Sequence, residues 1–197
     1  MVQAPLLNGA SLGSDSYNNR PEGTPRIGNW MQTASGRMFW PLDPRAEEVS
    51  LDDIAHSLGM QGRFAGHARR FYSIAEHSVY VSFLVPKADA LHALLHDASE
   101  AYVIDVPRPL KPFLVGYKEI EDNVWRAIAE HFGIAPEMPA SIKLADNRVL
   151  LAEQRQLMGP PPAPWLVPGD PAPITIKGWD PDYARFKFLQ RFDELTR

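Results

Sequence analysis

From Ser50 onward the apolar positions recur three and four residues apart, the spacing of an amphipathic helix. Leu51, Ile54, Ala55 and Leu58 form one stripe, with Ser50 as N-cap, Asp52 and Asp53 in the first turn and Gly59 as the expected stop. A second helix is predicted over about 73–85, ended by Pro86. A third covers about 88–102, with Leu91, Leu94, Leu95 and Ala98 on one side. Pro107, Pro109 and Pro112 then force a loop. Further helices are predicted over about 116–132, closed by Gly133, and about 140–158. A last helix, about 181–195, turns Tyr183, Phe186, Phe188, Leu189 and Phe192 to the core. The proline-dense stretch 159–173 reads as an extended surface strap. Upstream, 30–33 and 37–40 flank Ala34-Ser35-Gly36 as a short hairpin, and 1–29, without any sustained period, reads as a flexible arm. The fold class predicted is all-α, a bundle of five to six helices with a short N-terminal hairpin, forming one domain over 30–197.

Composition narrows the chemistry. The 197 residues include no cysteine, which removes disulfides, thiol nucleophiles and thiolate zinc sites, so any metal must sit on His, Asp or Glu. A net charge of −4 argues against a protein that coats nucleic acid. No apolar run approaches the ~20 residues of a membrane span, and Met1–Ala10 lacks the pattern of a signal peptide. A cytoplasmic protein is expected.

His96, Asp97 and Glu100 are the first candidates for chemistry. They lie within one turn of the third helix, next to its apolar stripe, and burying them requires hydrogen bonds, counter-charges or a metal ion. His77 on the second helix and Asp146 on the fifth offer two more ligands. Two His and two Asp suit Zn, Mn, Fe, Co or Ni and leave open positions for water and substrate. Without a partner, a His-Asp pair on a helix is more often a hydrogen-bonded surface feature.

The order His77, His96-Asp97, Asp146 resembles the H…HD…D signature of the HD-domain phosphohydrolase superfamily. The run 94–102, followed by Asp105-Val106-Pro107-Arg108-Pro109-Leu110-Lys111, is similar to the 5′-deoxynucleotidase branch, in which the HD helix enters a D-x-P-x-P-x-K loop. The blocks 63–67 and 71–78 are similar to a group often encoded by phages and prophages, and phage dATP triphosphohydrolases belong to the same superfamily. The similarity spans about 33–197. It implies a helical HD domain that binds a divalent ion (Mn, Co, Zn, Ni, Fe or Mg) through His77, His96, Asp97 and Asp146. It further implies that Glu100 orients the attacking water or handles its proton, that Asp105 contacts the sugar or the leaving oxygen, and that Lys111 approaches the phosphate. The implied substrate is a deoxynucleotide, either a dNMP or a dNTP with dATP favoured. The setting would be the cytoplasm, that of the host if the gene is a phage's. One departure is that only nineteen positions separate His77 from His96, fewer than in the better-known bacterial nucleotidases.

Around these residues, Arg63, Arg69 and Arg70 with His67 fit either a phosphate cradle or a solvated basic face. Trp40 fits either a base-stacking role or cover for the core. His92, four residues before His96, is expected to be structural or to support the metal ligands from behind. A small-molecule nucleotide is the expected partner, with no nucleic-acid polymer, no membrane, and room for a homo-oligomer. The alternative to an enzyme is a catalytically silent nucleotide-binding protein on the same scaffold.

Overall fold

The structure, a computed structural model, describes residues 25–197. The arm expected over 1–29 lies for the most part outside the described residues. Its end is tied down, since the Arg26 guanidinium pairs with Asp43 and Glu48 and lies 4.2 Å from the Trp40 ring centre.

Strands β1 (Met31–Gln32) and β2 (Met38–Phe39) pair antiparallel, Met31 opposite Phe39, around a turn in which Gly36 has a φ of +82°. The hairpin is fastened at both ends. Phe39 stacks on Tyr102, ring centres 3.7 Å apart, and Ser35 donates from its backbone N–H and its hydroxyl to the buried Asp53 carboxylate at 2.6 and 2.7 Å.

The remaining regular structure is helical, chiefly α1 (Leu51–Met60), α2 (Ile74–Phe83), α3 (Ala90–Leu95), α4 (Glu100–Val103), α5 (Tyr117–Phe132), α6 (Ala140–Leu157) and α7 (Pro181–Thr196), with no helix over 159–180. The all-α expectation holds. No helix among the described residues is long and apolar enough to cross a membrane.

Helix α2 is the axis of the molecule. Eight of its ten residues are buried, and it packs on α1, α3, α6 and α7. A main apolar cluster joins α1, α2, α3, α5 and α7 through Ile54, Leu58, Val79, Leu94, Ile128 and Phe188, among others. A smaller one, rich in alanine, joins α2 and α3 to α6 through Val81, Ala93, Ile142, Ala145, Val149 and Ala152.

Three local expectations change. Gly59 does not stop α1, which runs to Met60. A Cβ there would lie 2.9 Å from the Pro181 carbonyl oxygen, so the glycine marks the close approach of α7. On α7, Ala184 and Phe188 are buried, whereas Tyr183 and Phe186 stand on the outer side at 46% and 57% exposure, packed on each other. The third predicted helix is divided into α3 and α4. Between them 96–99 tightens, with Ala98 N–H bonding to Leu95 O and Glu100 N–H to Asp97 O in place of i−4 partners.

Candidate metal centre

The tightened turn carries His96 and Asp97 to the side of α2, while α2 itself supplies His77 and α6 supplies Asp146. His77 Nε2 lies 3.5 Å from Asp146 Oδ1 and 3.6 Å from Asp97 Oδ2, and His96 Nε2 lies 3.3 Å from Asp97 Oδ2. Ligand atoms of His77, His96 and Asp146 fall within 4.8 Å of one another, the spread of a single cation's coordination sphere. Of the four side chains expected to meet, His77, His96 and Asp146 come within reach of one ion, and Asp97 lies against both imidazoles.

Whether they suit a cation turns on the imidazoles. His96 Nδ1 sits 2.8 Å from the Ala93 carbonyl oxygen, and His77 Nδ1 2.6 Å from Glu153 Oε1. Both acceptors require an N–H on Nδ1 and leave Nε2 as the free ligand nitrogen. Both Nε2 atoms are buried without a hydrogen-bond partner. Buried polar atoms in folded proteins are mostly paired, and two such nitrogens, His96 Nε2 beside Asp97 and His77 Nε2 beside Asp97 and Asp146, fit a divalent ion.

The charge balance agrees. Burial opposes charge on Asp146, yet His77 overrides it and holds this carboxyl well below the usual range. Burial and the Arg63 guanidinium depress His77, but Glu153 and Asp146 outweigh them and raise it to about 9. His96 is lowered, by burial first. Burial, reinforced by Asp97 and Asp105, pushes Glu100 well up, the direction a proton-handling carboxyl needs.

Glu100 is 5% exposed and its Oε2 has no hydrogen-bond partner. Lys111 Nζ lies 3.6 Å from Glu100 Oε1 and 2.9 Å from Glu121 Oε1. Asp105 follows directly, its N–H donating to Gln61 Oε1 at 3.4 Å, while the Gln61 amide donates to the Glu100 carbonyl oxygen. Arg63 is not on a solvated face. Its guanidinium spans Asp97 Oδ2 and Glu153 Oε2, both at 3.4 Å.

Backbone strain collects here too. Phe64, Ala65 and Ile104 are the non-glycine residues of positive φ among the described residues. Two follow Arg63 and one precedes Asp105. Such conformations cost on the order of 1–3 kcal/mol each and persist where the surroundings force them, commonly at active sites.

Other expected contacts do not converge. His67 is exposed and forms no hydrogen bond or ion pair with the four cage residues. Arg69 is also exposed, its N–H bonded to the Leu157 carbonyl oxygen. Trp40 lies at the hairpin under Arg26. His92 bonds the Ala135 carbonyl oxygen at 2.9 Å and is structural.

Several residues were not singled out in the sequence. Arg108 and Lys143 both reach Asp146 Oδ2, at 3.4 and 2.9 Å. Glu153 stands seven positions after Asp146, on the same face of α6, a spacing that could have drawn attention to it.

No family model matches the chain. It is 37% identical over 171 residues to the uncharacterized protein YfdR of Escherichia coli K12, an alignment covering 85% of this chain and 96% of that one. It is also 34% identical over 188 residues to an uncharacterized protein of Rhodobacter capsulatus, with 85% and 96% covered. At that identity over nearly the whole length of both relatives, the chain belongs to the YfdR family.

Proposed function

We propose that the chain is a metal-dependent phosphohydrolase of the HD-domain type, cleaving the bond between the 5′ oxygen and phosphorus of a deoxynucleotide. The observation that supports this most is the pair of buried, unpartnered imidazole nitrogens facing two carboxylates. The same bond breaks whether the substrate is a dNMP, giving phosphate and nucleoside, or a dNTP, giving triphosphate and nucleoside; dATP is the favoured triphosphate.

His77, His96, Asp97 and Asp146 would hold the cation. When bound, such an ion acidifies water and polarises a phosphoryl oxygen. The chain's own residues do the rest. Glu100, with Oε2 free and its pKa raised, accepts the proton of the attacking water. Lys111 and Arg108 offer positive charge to the phosphate as negative charge builds in the transition state. Asp105, whose charge acts on Glu100, would contact the sugar or the departing 5′ oxygen. Arg63 holds Asp97 from the protein side.

The test is a panel of dNMPs, dNTPs and rNTPs given to metal-stripped protein with Mn, Co, Mg or Zn, with phosphate and triphosphate measured separately. Asp97→Ala is expected to lose metal uptake and turnover together. Glu100→Ala is expected to keep the metal and lose at least 100-fold in rate, the usual scale of a positioned acid or base. Equal turnover in Glu100→Ala and the parent removes Glu100 from the chemistry. Nucleotide binding with no product under any condition would leave the silent binding protein.

A further inference from the structure

We propose that Glu153 is a positioning residue, a buried carboxylate that turns the His77 imidazole so that Nδ1–H faces the protein and Nε2 faces the cation. The proposal rests on the cation reading above and assigns a residue outside the ligand set.

Glu153 is fully buried on α6. Its Oε1 accepts from the Tyr72 hydroxyl at 2.8 Å and from His77 Nδ1 at 2.6 Å, and its Oε2 lies 3.4 Å from Arg63 Nη2. A carboxylate so deep is costly unless it is compensated. Here a guanidinium and a phenol do so, the phenol on a ring that also packs against Leu157 and Ile176. The expense is understandable if the carboxylate has a task at the imidazole.

Helix geometry makes that task specific. Asp146 and Glu153 are seven residues apart and so share one face of α6. One approaches His77 at Nε2, the other at Nδ1. A single rigid helix thus grips both ends of the same ring and fixes its tautomer and its direction. His96 is held differently, by the Ala93 carbonyl oxygen within its own turn. Only His77 has a carboxylate behind it, which also makes its Nε2 the more strongly donating of the two.

Arg63 ties this device to the cage, since it pairs with Asp97 through one nitrogen and Glu153 through another. Removal of the Glu153 charge loosens both contacts at once.

The test uses the full chain, zinc, and protein labelled with nitrogen-15 in its histidines. In the zinc-loaded parent, His77 and His96 are each expected to show an exchange-protected Nδ1–H. In Glu153→Gln, zinc affinity is expected to fall 10- to 100-fold, the usual effect of losing a partner behind a ligand. The His77 Nδ1–H signal should shift or vanish while that of His96 stays. Should Glu153→Gln not fold, Glu153→Asp keeps the charge beside Arg63 but is one methylene too short to reach Nδ1. It is expected to lose the same signal. Parental zinc affinity with an unchanged His77 signal in the folded variant overturns the proposal. Failure of the parent to take up zinc or any other divalent ion overturns the cation reading itself, and shows before any variant is compared.

Discussion

His77 stands between a carboxylate at each ring nitrogen, and this decides how the ion-free protein answers to pH. Its pKa rises from 6.5 to about 9 on folding. A group raised in this way contributes stability that is complete below about 6.5 and lost as pH climbs through 9, on the order of 3 kcal/mol for a shift of this size. Glu100, raised by burial and by Asp97 and Asp105, works in the same direction. Urea unfolding of chelator-treated protein is therefore expected to give a lower free energy at pH 9 than at pH 6.5. With the cation present the trend reverses, because the ion competes with the His77 proton and binds more tightly as that proton leaves. Stability of the ion-free chain that is flat or rises over this interval would show that the carboxylates do not govern His77.

At the scale of elements, Glu76 does for the fold what His77 next to it does for the site. It is fully buried on α2, and its carboxylate accepts the backbone N–H groups of Lys177, Gly178 and Trp179 at 2.9, 3.0 and 2.7 Å, with the Tyr80 hydroxyl at 3.0 Å. These bonds clamp the segment that leads into α7. Glu76→Gln turns an amide NH₂ toward donors and leaves backbone N–H groups unpaired, which costs about 3 kcal/mol. In a chain of this length that is a fall of roughly 6–12 °C in melting temperature. Faster proteolysis between 159 and 179 is expected to accompany it, and an unchanged melting curve would mean the clamp adds nothing. Such a clamp was not legible in the sequence, because its two halves lie a hundred positions apart. The helices were, since Leu51, Ile54 and Leu58 or Leu91, Leu94 and Leu95 write their stripes locally. The four cage residues were reached through their order along the chain, and three elements had to pack before they met. The tightening at 96–99 left no local mark, because His96 and Ser99 keep helical backbone angles within it. His67 and Arg69 were grouped with Arg63 by proximity in sequence alone; the strained turn at Phe64 and Ala65 sends Arg63 inward and leaves those two outside.

Across the whole molecule, the two apolar clusters divide the labour unevenly. The large one binds α1, α5 and α7 to α2 and α3 with leucine, isoleucine and aromatic side chains. Helix α6 is held by the alanine-rich cluster, and by Leu157 with Tyr72 and Ile176. Each alanine side chain buries little apolar area, so at about 25 cal/mol per Å² this attachment is the weaker one. Polar groups fill the rest of the seam, since Asp146 and Glu153 of α6 meet His77 of α2 and Arg63 there. A cation shared by α2, the 96–99 turn and α6 would therefore stiffen the seam far more than the main core. Hydrogen exchange is expected to show it. Removing the ion with a chelator should speed amide exchange in 140–157 and 96–99, with α1, α5 and the C-terminal half of α7 unchanged. Regions that open below the global unfolding free energy are those held by few apolar contacts, and a ligand at 100 times its dissociation constant adds about 2.7 kcal/mol to whatever it closes. The same experiment on Asp146→Ala is expected to show rapid exchange in α6 with and without metal. Exchange that changes evenly over all helices, or not at all, would place the cation elsewhere than between α2 and α6.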